Sequence, residues 1–394
     1  MQLSNLFNKK SINLDRRILT CLEKCVKAVM HGAHLSLTSI GRKIGESNST
    51  EKHSIKRVDR LLNNKSLSLQ NKTFYEILAR KFSFHSKVIL LVDWTTIYDY
   101  SHVLLRASCS FGGRAFTVYE EVHPKGSMNN HAIHVQFLEN LKSILPKNKE
   151  VIICTDAGFK VPWFKAVEKL DWFWLSRARG TVKYQSNGNH NWEYLNNIHA
   201  GATAEPKDVS GLKLSKSHKF ACRCVIVKGK RTHPINKVER KRPNCGSYLQ
   251  HSKSNKEPWV LVSNLPTTEY KKEDLVDIYS LRMTIEEAFR DTKNEYYGLG
   301  IKRSRSRSVE RLEVLILIGL LAQWSLYVIG YAAEKMEMHY QYQSNSIKNR
   351  RVLSFCFLAK RILKTIPNLL NRSEFKRHLD ELIIKTDLVN CGDS

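Results

Sequence analysis

Three patterns of apolar and polar residues follow one another along the chain. In the first 80 residues the apolar positions recur at helical spacing. Ile18, Leu22, Val26 and Val29 form one stripe, and Ile55, Val58, Leu61 and Leu62 another. The stretch LTSIGRKIGESNSTEKHSIKRVDRLL reads as a helix, a polar turn and a second helix, with Ser49 or Thr50 able to cap the second. From residue 88 the pattern shifts to short apolar runs. VILLVDW (88–94), HVLLRASCSF (102–111) and RAFTVYEEV (114–122) predict strands, with Gly112 and Gly113 at the turn between the last two. Residues 131–145 have helical spacing, VIICTD (151–156) predicts a buried strand, 159–170 a helix, and WFWLSRA (172–178) a fifth strand. The order βββαβαβ predicts a mixed α/β layer with helices flanking a five-stranded sheet.

Residues 180 to about 256 break that rhythm and are rich in Asn, Ser, Lys, Gly and His. Strand-like runs at 219–229 and 258–265 mark a β-rich insertion, since a structureless loop of that length is unusual in a compact domain. From about residue 273 the chain turns helical again. The apolar run Leu312 to Tyr331 is long enough for a membrane span. Arg311 and Glu313 stand at its start and no second span accompanies it, so a buried helix is expected. The last 60 residues read as helical and basic. The expected division is a helical region over 1–80, an α/β domain over 81–300 with the insertion at about 180–265, and a helical region over 301–394.

Composition narrows the class. Of 394 residues, 42% are hydrophobic, which suits a globular chain of roughly two or three domains. Lys and Arg number 64 against 37 Asp and Glu, a net charge of +27. That excess points to a polyanion, either nucleic acid or an anionic membrane. The first residues contain no apolar run, so a secretory signal is not expected. The nine cysteines are scattered and form no CxxC pair, which argues for reduced thiols and against structural zinc. A cytoplasmic nucleic-acid-binding protein follows. Its charge is concentrated: residues 1–80 hold 15 Lys/Arg against 6 Asp/Glu, and residues 181–256 hold 15 against 4. Lys56, Arg57 and Arg60 line the exposed side of the second N-terminal helix. They suit either a helix-turn-helix in a DNA groove or an ordinary basic helical bundle.

Two acids close buried runs: Asp93 ends VILLVD and Asp156 ends VIICTD. A buried carboxylate needs a partner or a metal, and strand ends are where sites form in α/β sheets. Hard oxygen ligands without a His/Cys cluster suit Mg²⁺ or Mn²⁺ rather than Zn²⁺. In DIYSLRMTIEEAFRDTK (277–293), Tyr279, Arg282, Glu286 and Lys293 would share one helix face, a stripe about 60° wide at 100° per residue. The stripe is either a solvated face with an Arg282–Glu286 pair or a third carboxylate flanked by phosphate contacts. Arg177 and Arg179 after the fifth strand, and Lys302, Arg303 and Arg305 after the helix, are further candidate phosphate contacts. Trp94 and Trp163 read as packing residues beside the site.

These residues carry a resemblance. Asp93, Asp156 and Glu286, with the pattern Y-x2-R-x3-E-x6-K at 279–293, resemble the bacterial DDE transposases of insertion sequence family four. The similarity extends through LVDW (91–94), TDAGFKVPWF (155–164), LSRARG (175–180), KEPWVL (256–261) and YGLGIKRSRS (297–306). It covers essentially the whole chain and is weakest in 185–250 and the last 40 residues. It implies a ribonuclease-H-like catalytic core, whose element order the strands and helices above match, and two Mg²⁺ or Mn²⁺ ions on Asp93, Asp156 and Glu286. One ion would activate water or a DNA 3′-hydroxyl and the other stabilise the leaving oxygen. The implied steps are a nick, a hairpin on the transposon end, its opening, and strand transfer. Trp259 would stack an extruded base, and Arg177 and Arg179 would hold the opposite strand. The implied partners are terminal inverted repeats, target DNA, a second copy in a synaptic dimer and a host DNA-bending protein, with no membrane. The N-terminal region would recognise the ends and the C-terminal region would dimerise and touch DNA. A regulatory DNA-binding relative without catalysis, and a metal-dependent nuclease on the same fold, stay open as alternatives.

Overall fold

The computed structural model describes residues 12–366, apart from 46–48, 81, 84–86, 98–100, 112–113, 181, 188–189, 229–256, 345 and 348, together with Ile384–Lys385. The expected Gly112–Gly113 turn, much of the basic insertion, Lys256 and most of the last 28 residues lie outside that set.

The N-terminal helices are α1 (Arg16–Met30), α2 (Leu37–Ile44), α3 (Glu51–Leu62), α4 (Lys65–Leu69) and α5 (Asn71–Ala79). The first three are capped by side chains: Asp15 for α1, Ser36 for α2 and Thr50 for α3. Each accepts an otherwise unpaired backbone N–H of the first turn. In α3 the buried residues Ser54, Val58, Leu61 and Leu62 follow the helical period, which leaves Lys56 and Arg60 on the exposed side and Arg57 half-buried. At Gly41 a Cβ would lie 2.7 Å from the Ile55 Cα, so only glycine lets α2 and α3 cross this closely.

The expected five strands are β1 (Lys87–Thr96), β2 (His102–Phe111), β3 (Arg114–Pro124), β4 (Glu150–Thr155) and β5 (Phe173–Ala178), with helix α6 (His131–Ile144) before β4 and α7 (Val161–Glu168) before β5. The sheet does not stop at five. The insertion adds β6 (Lys183–Gln185), β7 (Glu193–Tyr194), β8 (Lys207–Leu214), β9 (Phe220–Val227) and β10 (Trp259–Ser263) to the same sheet, in the order β3-β2-β1-β4-β5-β10-β9-β8-β6-β7. The join is antiparallel, with Leu261 of β10 opposite Arg177 of β5. The physical reason is that β5 would otherwise expose an unpaired apolar edge. β4 runs parallel to both β1 and β5, and β2 and β3 run antiparallel.

The expected single helix over 277–293 is two helices, α8 (Lys272–Ser280) and α9 (Met283–Lys293). The Ser280 hydroxyl donates to the Asp277 carbonyl at 2.6 Å and Thr284 to that of Leu281 at 2.7 Å. These side chains compete for helix carbonyls, and the junction tightens to i→i+3 bonds such as Arg282 N–H to the Tyr279 carbonyl.

The apolar run becomes α10 (Val309–Lys335), in which every residue from Val314 to Gly330 is buried. A helix apolar on all sides must be buried on all sides. It is long and apolar enough to cross a membrane, yet here it is the core helix, packed against α1, α3 and β3 and against α11 (Phe355–Thr365). One continuous core runs from Leu22 through the sheet to Leu363. Among the described residues between α10 and α11, Met338–Gln341 forms a short helical turn.

Candidate active site

The parallel pairing of β1 with β4 ends at Val92 opposite Thr155. Asp93 and Asp156 are the next residue on each strand, so they stand side by side at the carboxyl edge, about 5 Å apart by strand spacing. Asp93 does not end its strand as expected: β1 runs on to Thr96 because β2 continues to pair with it. Its Oδ1 accepts the Trp94 N–H at 2.8 Å. Asp156 follows β4 and its Oδ1 accepts the Gly158 N–H at 2.8 Å.

Helix α9 brings Glu286 to the same place. Arg282 joins the acids: its Nη1 donates to Asp93 Oδ2 at 3.4 Å and its Nη2 to Glu286 Oε1 at 2.6 Å. Burial pushes the Asp93 carboxyl up to about 7; neighbouring Asp156 adds to this, Arg282 opposes it and Glu286 adds again. Asp93 is thus desolvated beside Asp156 and Glu286, with the Arg282 guanidinium between Asp93 and Glu286. Lys293, one end of the expected stripe, donates to Thr95 Oγ1 at 2.5 Å. Burial and then Lys302 pull its ammonium below the ordinary lysine value. Despite the break between α8 and α9, Tyr279 also converges, with the Arg282 guanidinium 5.9 Å from its ring centroid. Tyr279 is buried, and burial pushes its hydroxyl up to about 12.

The other expected residues divide. Trp259 opens β10, half-buried and edge-on to Tyr279 at 5.0 Å. Arg177 is buried, with Nη2 3.6 Å from Glu257 and 3.5 Å from the Pro258 carbonyl, whereas Arg179 is exposed beyond the strand. The Nε atoms of Arg177 and Arg282 are buried without a hydrogen-bond partner among the described residues. Lys302 and Arg305 are exposed, and Arg303 pairs with Glu295 at 2.6 Å. Lys56, Arg57 and Arg60 lie on α3, the first and last exposed and Arg57 half-buried. Trp94 and Trp163 are both buried, and the Trp94 indole donates to His134 at 3.1 Å.

Arg106 was not foreseen. It lies opposite Asp93 on β2, fully buried, and its Nε meets Glu120 at 2.7 Å. Its Nη2 lies 3.3 Å from the Thr292 hydroxyl, and the guanidinium covers the Phe289 ring at 4.9 Å. It thereby fastens the Glu286 helix to the sheet. A lone arginine inside HVLLRASCSF was the available signal.

A set of carboxylates without histidine or thiol is the donor chemistry of a hard divalent cation. As placed, no three ligating side chains among the described residues surround one point that could hold an ion. Arg282 spans Asp93 and Glu286 instead, and it is the all-carboxylate donor set, Asp93, Asp156 and Glu286, whose chemistry suits such an ion.

A family model described as "Transposase DDE domain" matches residues 85–324, more than half of the chain. The chain belongs to the DDE transposases. This transposase is an enzyme that cleaves and transfers DNA strands, and all three converging acids lie inside the matched stretch. No curated protein matches the chain. Among solved structures, the cryo-EM structure of a piggyBac transposase synaptic complex with hairpin DNA is similar over 97% of this chain and 78% of that one, at 11% identity and a TM-score of 0.41.

Proposed function

We propose that this DDE transposase excises an insertion sequence by Mg²⁺-dependent phosphoryl transfer, through a hairpin on the transposon end, and joins it to target DNA. The observation that carries the proposal is that Asp156 and Glu286 both bear on Asp93, with Arg282 bridging Asp93 and Glu286. Divalent ions held by the three carboxylates would supply Lewis acidity for in-line displacement at phosphorus. Arg282 and Lys293 orient the strand, and the buried guanidinium donors of Arg177 and Arg282 that lack partners suit phosphate oxygens. Trp259 offers its face to an extruded base, with Arg179 on the opposite strand. Lys56, Arg57 and Arg60 read the transposon end.

The Tyr279–Arg282–Glu286–Lys293 pattern further supports membership in insertion sequence family four, close to the cut-and-paste transposase of the tetracycline-resistance composite transposon. The strand order β3-β2-β1-β4-β5, parallel at its centre, supports a ribonuclease-H-like core. Division of labour near residues 80 and 300, a synaptic dimer and a host DNA-bending protein belong to the same proposal.

The test is incubation of linear DNA carrying the ends that flank this gene with the protein and Mg²⁺, followed by a denaturing gel. Hairpin species and strand-transfer joints are expected. Linear ends alone would instead make the protein a nuclease, and binding without any cleavage would make it a regulatory relative.

A further inference from the structure

A cleft of about 650 Å³ lies between the N-terminal helices and the segment that follows the Glu286 helix. One wall is the α1–α2 connection and α2, contributing Arg42 and Lys43; the other contributes Lys302, Arg303 and Arg305. Against these five cations the lining holds one carboxylate, Glu295. His31 and His34 complete it. Burial lowers both imidazoles below the ordinary histidine value, and Lys43 and Arg303 respectively lower them further.

The two walls are fixed to each other. The Leu35 N–H donates to the Leu299 carbonyl at 2.8 Å. Gly300, at φ +64°, lies beneath His34, where a Cβ would stand 3.0 Å from the imidazole Cγ. The cleft is therefore preformed. Its cations are available: Lys43, Lys302 and Arg305 make no ion pair among the described residues. Arg42 and Arg303 hold exposed partners, Glu51 at 2.7 Å and Glu295 at 2.6 Å. Exposed pairs of this kind are worth only about 0–1 kcal/mol and exchange readily for a phosphate. The cleft also leads somewhere. Lys293 donates to Thr95, two residues beyond Asp93, and both Lys302 and Asp93 act on its ammonium.

We propose that this cleft grips a DNA phosphodiester backbone, held jointly by the N-terminal helices and the 302–305 segment, with the strand running on past Lys293 to the acids. The inference rests on the reading that DNA is the substrate, and adds a binding site shared by two regions of the chain. Guanidinium groups, ammonium groups and the hydroxyls of Thr38 and Ser39 suit phosphate oxygens, and contacts to phosphate carry no sequence information. Binding here is therefore independent of sequence.

The test measures the affinity of the full chain for a fluorescent duplex by anisotropy across a salt series, for wild type, Lys43→Ala, Lys302→Ala and the double variant. Each single change should reduce the slope of log K against log[salt] by about 0.9, and the double change by about twice that. The losses should be equal for a duplex bearing the flanking ends and for an unrelated one. Both side chains are exposed, so thermal unfolding should not move. A wild-type slope in Lys43→Ala would remove the N-terminal wall and overturn the proposal. Displacement of the duplex by inorganic phosphate at constant ionic strength would also overturn it, in favour of a free-anion site. Cleavage by the wild type in Mg²⁺ is scored on the same preparation. Cleavage with unaltered slopes would sink this inference alone. Reduced slopes without cleavage would sink the catalytic reading and leave the cleft standing.

Discussion

Replacement of Arg106 by Met should destabilise the protein by about 3–5 kcal/mol, the cost of stranding one member of a buried ion pair. Arg106 and Glu120 expose only 2% and 1% of their side chains, and burial already holds the Glu120 carboxyl above its ordinary value despite Arg106 beside it. Without Arg106, Glu120 keeps, among the described residues, only the Tyr75 hydroxyl at 3.4 Å. Thr292 loses the guanidinium, worth about 1 kcal/mol as a hydrogen bond. The Phe289 ring loses a cation above it, worth about 0.5–2 kcal/mol. These figures overlap and do not add in full. Against a stability of about 5–15 kcal/mol the single variant would lie close to its unfolding limit. The assay is urea unfolding of Arg106→Met, Glu120→Leu and the double variant. The double variant should recover a large part of the loss, because two apolar side chains replace a charge pair without leaving either charge behind. A loss under about 1 kcal/mol in Arg106→Met, or a double variant as unstable as the two singles combined, would refute the argument that the pair is energetically coupled.

Asp93 sets a pH dependence. Its folded value near 7 stands above the ordinary 3.8, so its contribution is fully present below about pH 4 and lost as pH rises through 7, about 4 kcal/mol in all. Thermal midpoints of the metal-free protein should fall from pH 5 to 8, and Asp93→Asn should flatten that fall; a steep fall in the variant would contradict it. Mg²⁺ should raise the wild-type midpoint more at pH 8 than at pH 6 and should not raise that of Asp93→Asn. Gly330→Ala should cost about 1–3 kcal/mol by overpacking, because the new Cβ would lie 2.7 Å from the Phe355 Cα; unfolding midpoints unchanged in urea would show that α11 simply moves. Trp259→Ala should leave nicking intact and reduce hairpin yield roughly tenfold, the value of one base stack. Equal loss of both products would show a structural role for the ring.

The parts of the fold visible in the sequence are those governed by local periodicity. β1 to β5, α3 with its Thr50 cap and the buried helix α10 follow directly from apolar spacing and capping chemistry. The ten-stranded sheet was not visible, because pairing of β10 with β5 joins residues more than 80 apart and no local pattern encodes it. The break between α8 and α9 was hidden by a good helical stripe, and only the Ser280 and Thr284 hydroxyls hinted at it. In the site, Asp93 and Asp156, just past the end of the parallel pairing of β1 with β4, were legible, since register alone sets them side by side. The bridge from Arg282 to Asp93, the anchor at Arg106 and the cleft between His34 and Lys302 were not, because each depends on segments brought together only by the packed core.

The most direct test of the central claim compares DNA cleavage and DNA binding for Asp93→Ala, Asp156→Ala and Glu286→Ala, in Mg²⁺ and on a duplex carrying the flanking ends. If the three carboxylates form one metal-dependent cleavage centre, each variant should bind DNA as the wild type does and cleave none of it. Cleavage at the wild-type level by any one of the three would contradict the account.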